Sequence, residues 1–388
     1  MNYYSAPFWI GLPETVLGIG AIEKVGMIAK RFGKKALIIT DAGLVKAGLL
    51  DKVKRPLEEE VGVGVFDGCV LDCPISIIEE CARIVRTGGY EVLVGLGGGS
   101  VLDTTKTTGV LVGAEEGTRT RIGMKAEKAG LPKILIPTTA GSGAEYTSVA
   151  VLLDESTGLK GPIYSDYLCP QAVIVDPSLT LSLPAKVTAD SGMDALSHCI
   201  ESYTTWRANV ISDMLATKGI EMISGSLRTA YGQGDKNVES RYDMSVGSML
   251  GINAFLASGR GLGLAHAMSY PIQEVGHVTH GEAVSLALPY VMEYNLPVSL
   301  TKFAHIAELM GEEVKGLGLT DSAHLAVDAV KKLSVDVGMA QKLRDVGLKK
   351  EEITSYVNNV FDLHFPLVET NGRTASREDV AKIFEAAF

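Results

Sequence analysis

The architecture of this chain is most directly indicated by residues 91–106, which read EVLVGLGGGSVLDTTK. After Glu91, a short apolar run has the length and composition of a fully buried strand. This run leads straight into three glycines and Ser100, and a segment with a helical pattern follows. A buried strand, a glycine turn and a helix in immediate succession are typical of a parallel sheet with helical crossovers.

Similar apolar runs recur through the first half of the chain. They lie at residues 35–41, 62–67, 133–137 and 172–177. Residues 77–87, between two of the runs, have the apolar spacing of a helix. Strands that alternate with helices predict βαβ units, and therefore an α/β domain built on a parallel sheet.

The pattern changes near residues 181–184, and beyond that point no segment predicts a strand. Apolar residues recur there at spacings of three and four, which indicates helices. The predicted helices are residues 190–205, 210–231, 239–257, 281–294, 302–309, 321–337 and 377–387. We therefore expect two domains, an α/β domain over residues 1–183 and an all-helical domain over residues 184–388.

Bulk properties exclude several classes of function. The chain has 388 residues and a net charge of −10, with acidic and basic residues interspersed, so no nucleic-acid partner is expected. No apolar run approaches the ~20 residues that span a bilayer. Residues 1–7 lack a signal-peptide pattern, which favours a cytoplasmic protein. The cysteines are odd in number and predicted to be reduced: Cys69, Cys73, Cys81, Cys169 and Cys199.

Two loops at predicted strand ends are candidates for binding a nucleotide. The free N–H groups at the start of the helix after Gly97, Gly98 and Gly99 would attract phosphate oxygens, although a tight turn alone would also explain these glycines. Residues 137–143 form a second loop of hydroxyls and glycines. Asp41 ends another strand, where it could accept hydrogen bonds from ribose hydroxyls and favour NAD over NADP. It could equally cap the helix that follows.

Four side chains in the middle of the chain have the spacing and chemistry of a metal site. Asp194 and His198 are four residues apart, so on a helix they share one face. His266 and His280 follow later in the sequence. One carboxylate and three imidazoles suit a divalent first-row metal such as iron or zinc. Spacing alone leaves open the alternative that these histidines are merely packed or exposed.

Motifs along almost the whole chain carry a resemblance to one known family. They lie at residues 21–26, 97–106, 138–145, 174–179, 188–203, 261–281 and 371–373. Together they resemble the iron-containing (group III) alcohol dehydrogenases, within the dehydroquinate synthase-like superfamily. The resemblance implies a dinucleotide-binding α/β domain, an all-helical domain, and a cleft between them that holds metal and nicotinamide.

Matching the motifs position by position assigns roles to individual residues. By this resemblance the metal ligands are Asp194, His198, His266 and His280. The cofactor positions are Asp41, Gly97, Gly98, Ser100, Asp103, Thr138, Thr139 and Ser142, with Lys160 and Leu179 as further contacts. His277 falls on a variable position and is expected near the substrate rather than on the metal. The resemblance favours Fe²⁺, although Zn²⁺ or another divalent metal accepts the same ligands.

Two positions depart from the family pattern. Many relatives carry a second histidine four residues after the first motif's ligand, and that residue is often assigned to proton transfer. Here the position is Tyr270, a weak base at neutral pH. Arg260 stands where relatives usually carry small or amide residues. It is interpreted either as a surface or helix-capping arginine or as a group that recognises an anionic substrate.

These observations lead to one functional hypothesis and two alternatives. The hypothesis is reversible hydride transfer between NAD(H) and a small primary alcohol/aldehyde pair, with the metal polarising the substrate oxygen and His277 or Tyr270 passing the proton. The first alternative is a reductase of a carboxylated, phosphonated or sulfonated aldehyde. The second is a non-catalytic module that binds nucleotide and metal. By resemblance the chain is expected to form a homodimer or a larger homo-oligomer.

Overall fold

The computed structural model describes residues 13–114, 120–124, 126 and 128–388. The described chain divides into two compact units. One comprises the residues up to Thr139 together with Gly143–Ser182, and the other comprises Leu183–Phe388 with the short insert Ala140–Ser142. The boundary after Ser182 lies one residue before the predicted boundary after residue 183. The sequence analysis did not predict that Ala140–Ser142 would group with the second unit. Residues 1–12, placed in the first domain by the sequence analysis, lie outside the described residues.

The first unit is built on a parallel sheet of six strands. The described strands of this unit are β1 (Glu14–Leu17), β2 (Lys35–Ile39), β3 (Gly62–Phe66), β4 (Val92–Gly97), β5 (Lys133–Pro137), β6 (Val149–Asp154), β7 (Leu159–Tyr164) and β8 (Ala172–Val175). From edge to edge the order of the parallel sheet is β1-β8-β5-β4-β2-β3. Strands β4, β5 and β8 are buried along their whole length, as continuous apolar runs require. The predicted parallel α/β architecture is therefore confirmed.

The order of the strands creates a switch point beside β4. Strand β3 pairs with one edge of β2, and β4 pairs with the other edge of β2. Strand β5 then pairs with the free edge of β4, so the sheet grows in opposite directions from the boundary between β2 and β4. In open parallel sheets, ligands bind beyond the carboxyl ends of the strands at such a point. Asp41, the glycines after β4 and the loop after β5 all lie at this edge.

The described part of this unit also contains α-helices. They are α1 (Val25–Lys30), α2 (Ala42–Lys46), α3 (Leu49–Glu58), α4 (Ile75–Gly88) and α5 (Gly99–Gly113). Helix α5 is the most enclosed, because every residue from Val101 to Leu111 is buried. Its start, directly after β4, is thereby held in a fixed position at the switch point.

The first unit also contains an antiparallel hairpin that the sequence analysis missed. Strands β6 and β7 pair from Val149 with Tyr164 to Asp154 with Leu159. The turn between them contains Gly158 at φ +72, a left-handed conformation that favours glycine. Lys106 of α5 donates hydrogen bonds to Val149 O and, at 2.8 Å, to Ala144 O, which ties the helix to the hairpin.

The second unit is helical, and its described residues contain no strand, which confirms the predicted all-helical region. Its helices are α6 (Ala185–Thr204), α7 (Val210–Gln233), α8 (Val238–Ala257), α9 (Leu264–Gly276), α10 (His280–Leu309), α11 (Leu319–Asp336), α12 (Ile353–Leu363), α13 (Phe365–Thr370) and α14 (Arg377–Ala386). Helices α9, α12 and α13 were not predicted. The two segments expected at residues 281–294 and 302–309 form the single helix α10, which is kinked at Ser299.

Helix α6 lies at the centre of this unit and packs against α7, α8 and α10. Small residues permit the close approach. A Cβ added to Gly219 of α7 or to Gly251 of α8 would lie 2.6 Å and 2.7 Å, respectively, from the Cys199 Sγ atom. Such tight packing fixes the position of α6 and therefore of the polar residues that it carries. No helix in the described part of the chain has the length and apolar character needed to cross a membrane.

Candidate functional site

The four predicted metal ligands come together within the helical unit. Asp194 and His198 lie one turn apart on α6, His266 lies in the first turn of α9, and His280 is the first residue of α10. One potential ligand atom from each of Asp194, His198 and His266 lies within 4.8 Å of the others. All three residues are buried.

His280 completes the cluster on its more open side. Its Nε2 atom lies 3.8 Å from Asp194 Oδ1, and His266 Nε2 lies 3.7 Å from the same oxygen. The side chain of His280 is 37% exposed, whereas that of His266 is 5% exposed. A substrate that reaches the cluster would therefore approach beside His280.

Unsatisfied polar atoms show that the cluster suits a metal ion. Asp194 Oδ1 and His266 Nε2 are both buried, and neither has a hydrogen-bond partner within the described residues. Such orphaned atoms carry a desolvation cost in the metal-free protein. A divalent ion with ligand bonds of about 2.0–2.2 Å would give both atoms the partner that they lack. The donor set of one carboxylate and three imidazoles thus fits iron or zinc.

The electrostatics of the cluster favour an ionised aspartate. Burial raises the pKa of Asp194, but the neighbouring His198, His280 and His266 outweigh this effect and hold it below its ordinary value. Burial lowers the pKa of His198 to about 4, so this imidazole is neutral at pH 7. Burial also lowers the pKa of His266, but Glu201 and Asp194 outweigh it and raise the pKa overall.

Two carboxylates that the sequence analysis did not single out lie next to the cluster. The Glu201 carboxylate accepts hydrogen bonds from His266 Nδ1 and, at 2.8 Å, from the Ala265 backbone N–H. Asp190 Oδ1 accepts from the Thr279 hydroxyl and, at 2.7 Å, from the Glu282 backbone N–H. Both could have been found from their spacing of four or three residues from the α6 ligands.

An aromatic pair lines the open side of the cluster. The Tyr270 ring stacks on the His364 ring with centroids 3.6 Å apart and an interplanar angle of 11°. The centroid of Tyr270 lies 6.2 Å from that of His280. Burial lowers the pKa of His364 to about 4, so its ring is neutral at pH 7. No sequence signal pointed to His364, which lies far along the chain, between α12 and α13.

The two other predicted residues of this region are more peripheral. His277 is exposed and ends α9 with φ +49, a left-handed conformation. Arg260 is exposed and follows the end of α8, where its N–H donates to Phe255 O at 2.9 Å and the Gly259 N–H donates to Leu256 O at 3.0 Å. These bonds form a Schellman motif. The position of Arg260 thus matches the helix-end interpretation of this residue.

The predicted nucleotide loops lie at the carboxyl edge of the sheet. Gly98 precedes α5 in an extended conformation, and no side chain caps the helix start. A Cβ on Gly97 would lie 2.5 Å from Val101 Cβ, and one on Gly98 would lie 3.3 Å from Thr139 Cγ2. The glycines therefore leave room that side chains would fill. The uncapped first turn of α5 offers backbone N–H groups suited to a pyrophosphate.

The remaining predicted cofactor residues occupy different environments. Thr138 is buried, and its N–H donates to Gly97 O at 3.0 Å. Thr139 and Ser142 are half-buried. Ser100 Oγ accepts from the Asp72 N–H at 3.1 Å, and Lys160 pairs with the same aspartate, with Nζ 2.5 Å from Oδ1.

Three predicted cofactor residues have evident structural roles. Asp41 Oδ1 accepts from the Leu44 N–H at 3.0 Å, so Asp41 does cap α2, as one of its two interpretations required. The carboxylate of Asp103 is engaged inside the protein by Lys106 Nζ at 2.8 Å and by the Val151 N–H at 2.9 Å. The side chain of Leu179 belongs to the apolar core of the first unit.

Comparisons with known proteins agree with this geometry. The family model described as "Iron-containing alcohol dehydrogenase" matches residues 13–177. The model described as "Fe-containing alcohol dehydrogenase family, C-terminal" matches residues 188–388. The two matches together cover both structural units.

Individual relatives are similar over nearly their full length. The chain is 36% identical over 387 residues to long-chain-alcohol dehydrogenase 1 of Geobacillus thermodenitrificans, covering 97% of this chain and 95% of that protein. It is 34% identical over 378 residues to the NAD-dependent methanol dehydrogenase of Bacillus methanolicus, covering 97% and 98%. A solved structure of a 1,3-propanediol oxidoreductase matches with a TM-score of 0.93 and 34% identity, covering 99% and 100%.

Proposed function

Because the chain belongs to the iron-containing alcohol dehydrogenase family, we propose that it interconverts a small primary alcohol and its aldehyde at the Asp194 cluster. It is an oxidoreductase that uses NAD(H) and a divalent metal, iron in this family. The observation that carries the proposed site is the pair of buried, unpartnered atoms, Asp194 Oδ1 and His266 Nε2. These atoms have the chemistry of metal ligands, and an ion would satisfy both.

In this proposal the helical unit binds the ion through Asp194, His198, His266 and His280. When bound, the metal supplies a Lewis acid for the substrate oxygen, and NAD(H) supplies or accepts the hydride. One carboxylate and three neutral imidazoles leave a divalent site with net positive charge, which favours negative charge on the substrate oxygen. The half-exposed side of His280 admits the substrate, and the Tyr270–His364 pair forms a wall beside it.

The α/β unit binds the dinucleotide. The first turn of α5 donates backbone N–H groups to the pyrophosphate, and Gly97 and Gly98 permit its close approach. The Asp41 carboxylate disfavours a 2′-phosphate nearby and so favours NAD over NADP. Capping of α2 uses Asp41 Oδ1, which leaves Oδ2 for a ribose hydroxyl.

Proton transfer is assigned to groups on the open side of the cluster. Tyr270 is placed for this role because its ring lies beside His280. In this role the Tyr270 hydroxyl would accept the proton of the alcohol as it gives its own proton to water, so that the neutral phenol is restored. His277 is exposed at the end of α9 and can exchange protons with water. Of the two, Tyr270 is the one that the geometry favours.

The alternative substrate class, an anionic aldehyde, was motivated by Arg260 and Tyr270. Because the Arg260 backbone belongs to a helix-terminating motif and the Tyr270 ring stacks on His364, we propose the uncharged pair as the substrate. A Fe²⁺-loaded protein, prepared anaerobically, should therefore oxidise NADH faster with propanal than with carboxylated, phosphonated or sulfonated aldehydes. A preference for a charged aldehyde that Arg260→Gln abolishes would overturn this assignment of substrate class.

The same assay tests the cofactor. Placing the Asp41 carboxylate next to the 2′-phosphate of NADPH brings two negative charges together, which costs several kcal/mol. The value of kcat/KM with NADPH should therefore lie about 100-fold or more below that with NADH. Asp41→Asn should raise kcat/KM for NADPH while it changes that for NADH little. Equal use of both cofactors by the unaltered protein would contradict the role of Asp41.

We also propose a cytoplasmic location and a homodimeric or larger assembly. The cysteines are free, with Cys69, Cys73, Cys81 and Cys199 buried, as expected in a reducing compartment. Sedimentation of the purified protein would test the assembly, and a monomer at micromolar concentration would contradict it.

A further inference from the structure

Helix α6 carries four polar residues on one face, and through them it contacts the two helices that carry His266 and His280. These residues are Asp190, Asp194, His198 and Glu201, spaced by four, four and three positions. This spacing returns to the same side of a helix. The two central residues are predicted metal ligands, and the two outer carboxylates reach the other ligand-bearing helices.

Glu201 forms the outer contact with α9. One carboxylate oxygen accepts from His266 Nδ1, and the other accepts from the Ala265 backbone N–H at 2.8 Å. Its side chain is only 5% exposed, so both bonds are shielded from water. Because Nδ1 is engaged by Glu201, the opposite nitrogen of His266, Nε2, faces Asp194 Oδ1.

Asp190 forms the corresponding contact with α10. Its Oδ1 atom accepts from the Thr279 hydroxyl and from the Glu282 N–H. Thr279 is the N-cap residue of α10 but makes no capping bond to the helix itself, so the carboxylate of α6 satisfies the helix start instead. His280, the first residue of α10, is fixed relative to α6 by this contact.

We propose that Asp190 and Glu201 are positioning residues that hold His280 and His266 in register with the two α6 ligands. The inference rests on the proposed metal site and extends it to the groups behind the ligands. A carboxylate behind a ligating histidine fixes the ring orientation and the tautomer, and one at a helix start also interacts favourably with the helix dipole. A single rigid helix thus sets the relative positions of all four ligands.

Metal affinity tests the proposal without reference to turnover. Co²⁺ serves as the probe because its visible spectrum reports coordination, and its affinity can be measured by competition with a chelator. Glu201→Gln keeps the side-chain length but cannot accept from both donors at once. We expect it to weaken Co²⁺ binding by about 10- to 100-fold, the usual effect of losing such an outer partner. The Co²⁺ spectrum should change as His266 loses its orientation.

Asp190→Ala tests the other end of α6 in a protein that keeps Glu201, because it removes the oxygen that accepts from both Thr279 and Glu282. It should weaken Co²⁺ binding in the same direction, so the proposal stays testable even if Glu201→Gln lowers the yield of folded protein. Asp213→Asn is a matched control, because Asp213 pairs with Lys302 in the same unit at 2.9 Å. This control should leave the affinity and the spectrum of Co²⁺ unchanged.

The outcomes separate this inference from the proposed function. Wild-type affinity and spectrum in both Glu201→Gln and Asp190→Ala would overturn the positioning role while leaving the metal site intact. Equal weakening in all three variants would also overturn it, since the effect would then reflect general stability. Failure of the unaltered protein to bind Co²⁺ would instead refute the proposed metal-dependent function.

Discussion

Tyr270 is the residue at which this site departs most clearly from the pattern of its family. By the resemblance described above, many relatives carry a histidine at this position, four residues after His266, whereas this chain has a phenol. The ring is held by its stack on His364, and His364 stays neutral at pH 7 because burial lowers its pKa to about 4. A histidine is thus present beside the site, but it comes from a different part of the chain.

The contribution of the Tyr270 hydroxyl can be isolated by Tyr270→Phe, which preserves the stack. We expect kcat for alcohol oxidation at pH 7 to fall by about 100-fold, the lower range for losing a general acid–base group. Metal content, measured by elemental analysis, should stay unchanged. Tyr270→His, which restores the family residue, should retain turnover. Full activity of Tyr270→Phe would show that the proton leaves by another route, through His277 or water.

Spacing and side-chain chemistry suggested Asp194, His198, His266 and His280 as a metal site, and the resemblance decided in favour of that interpretation. The carboxylates behind them were equally regular in spacing, yet Asp190 and Glu201 drew no attention. Acidic residues on a helix face are usually solvated, and only the packing of α9 and α10 against α6 shows that these two are not. The stack with His364 depends on tertiary structure alone.

At the level of elements, regular and long segments were predictable and short or interrupted ones were not. Strands β4 and β5 were evident because both faces of the sheet are covered and their residues are uniformly apolar. Helix α9 was missed because glycines flank it and because it contains Pro271. The hairpin β6–β7 was missed because it mixes polar and apolar residues, and its packing against α5 provides the stability.

Both members of a buried ion pair within α5, Lys106 and Asp103, also hydrogen-bond to that hairpin: Lys106 Nζ donates to Val149 O, and Asp103 Oδ2 accepts from the Val151 N–H. The side chain of Lys106 is 0% exposed and that of its partner Asp103 is 12% exposed. Removing one member of a buried pair leaves an uncompensated charge, whereas replacing both is far less costly. Because α5 directly follows the glycine turn, this ion pair also holds in place the turn that is proposed to bind the nucleotide.

Lys106→Met should destabilise the protein by about 3–5 kcal/mol at neutral pH, as measured by urea unfolding. Burial already raises the pKa of Asp103 although Lys106 opposes it. A carboxyl with a raised folded-state pKa loses stability as pH rises through that value, so the penalty should shrink in acid.

Two comparisons control for the ion pair. The double variant Asp103→Asn, Lys106→Met should lose less stability than Lys106→Met alone. Lys382→Met breaks an exposed pair with Glu378 and should change stability negligibly. Unchanged stability of Lys106→Met would contradict the anchoring role.

At the scale of the whole molecule, the proposed function divides its two tasks, binding of the nucleotide and binding of the metal, between the two units. The α/β unit has the uncapped start of α5 at a switch point, and the helical unit has the converging ligands on α6, α9 and α10. The matches to the two family models divide in the same way, at residues 13–177 and 188–388. The sequence predicted the two units, because the spacing of apolar residues changes from that of strands to that of helices near residue 181.

The central claim, that turnover requires a metal held by the Asp194 cluster, is tested most directly by reversible metal removal. NADH oxidation by propanal would be measured for the Fe²⁺-loaded protein, for the same protein after chelation, and after anaerobic return of Fe²⁺. Because a bound metal contributes several kcal/mol to stabilising developing charge, chelation should lower kcat by at least about 100-fold, and Fe²⁺ should restore it.

Two variants link that result to the cluster. His266→Ala should not recover activity with Fe²⁺, whereas a control at an exposed histidine of α11, His324→Ala, should behave like the unaltered protein. Elemental analysis would confirm the metal content at each step. Full turnover by protein shown to be free of metal would contradict the account.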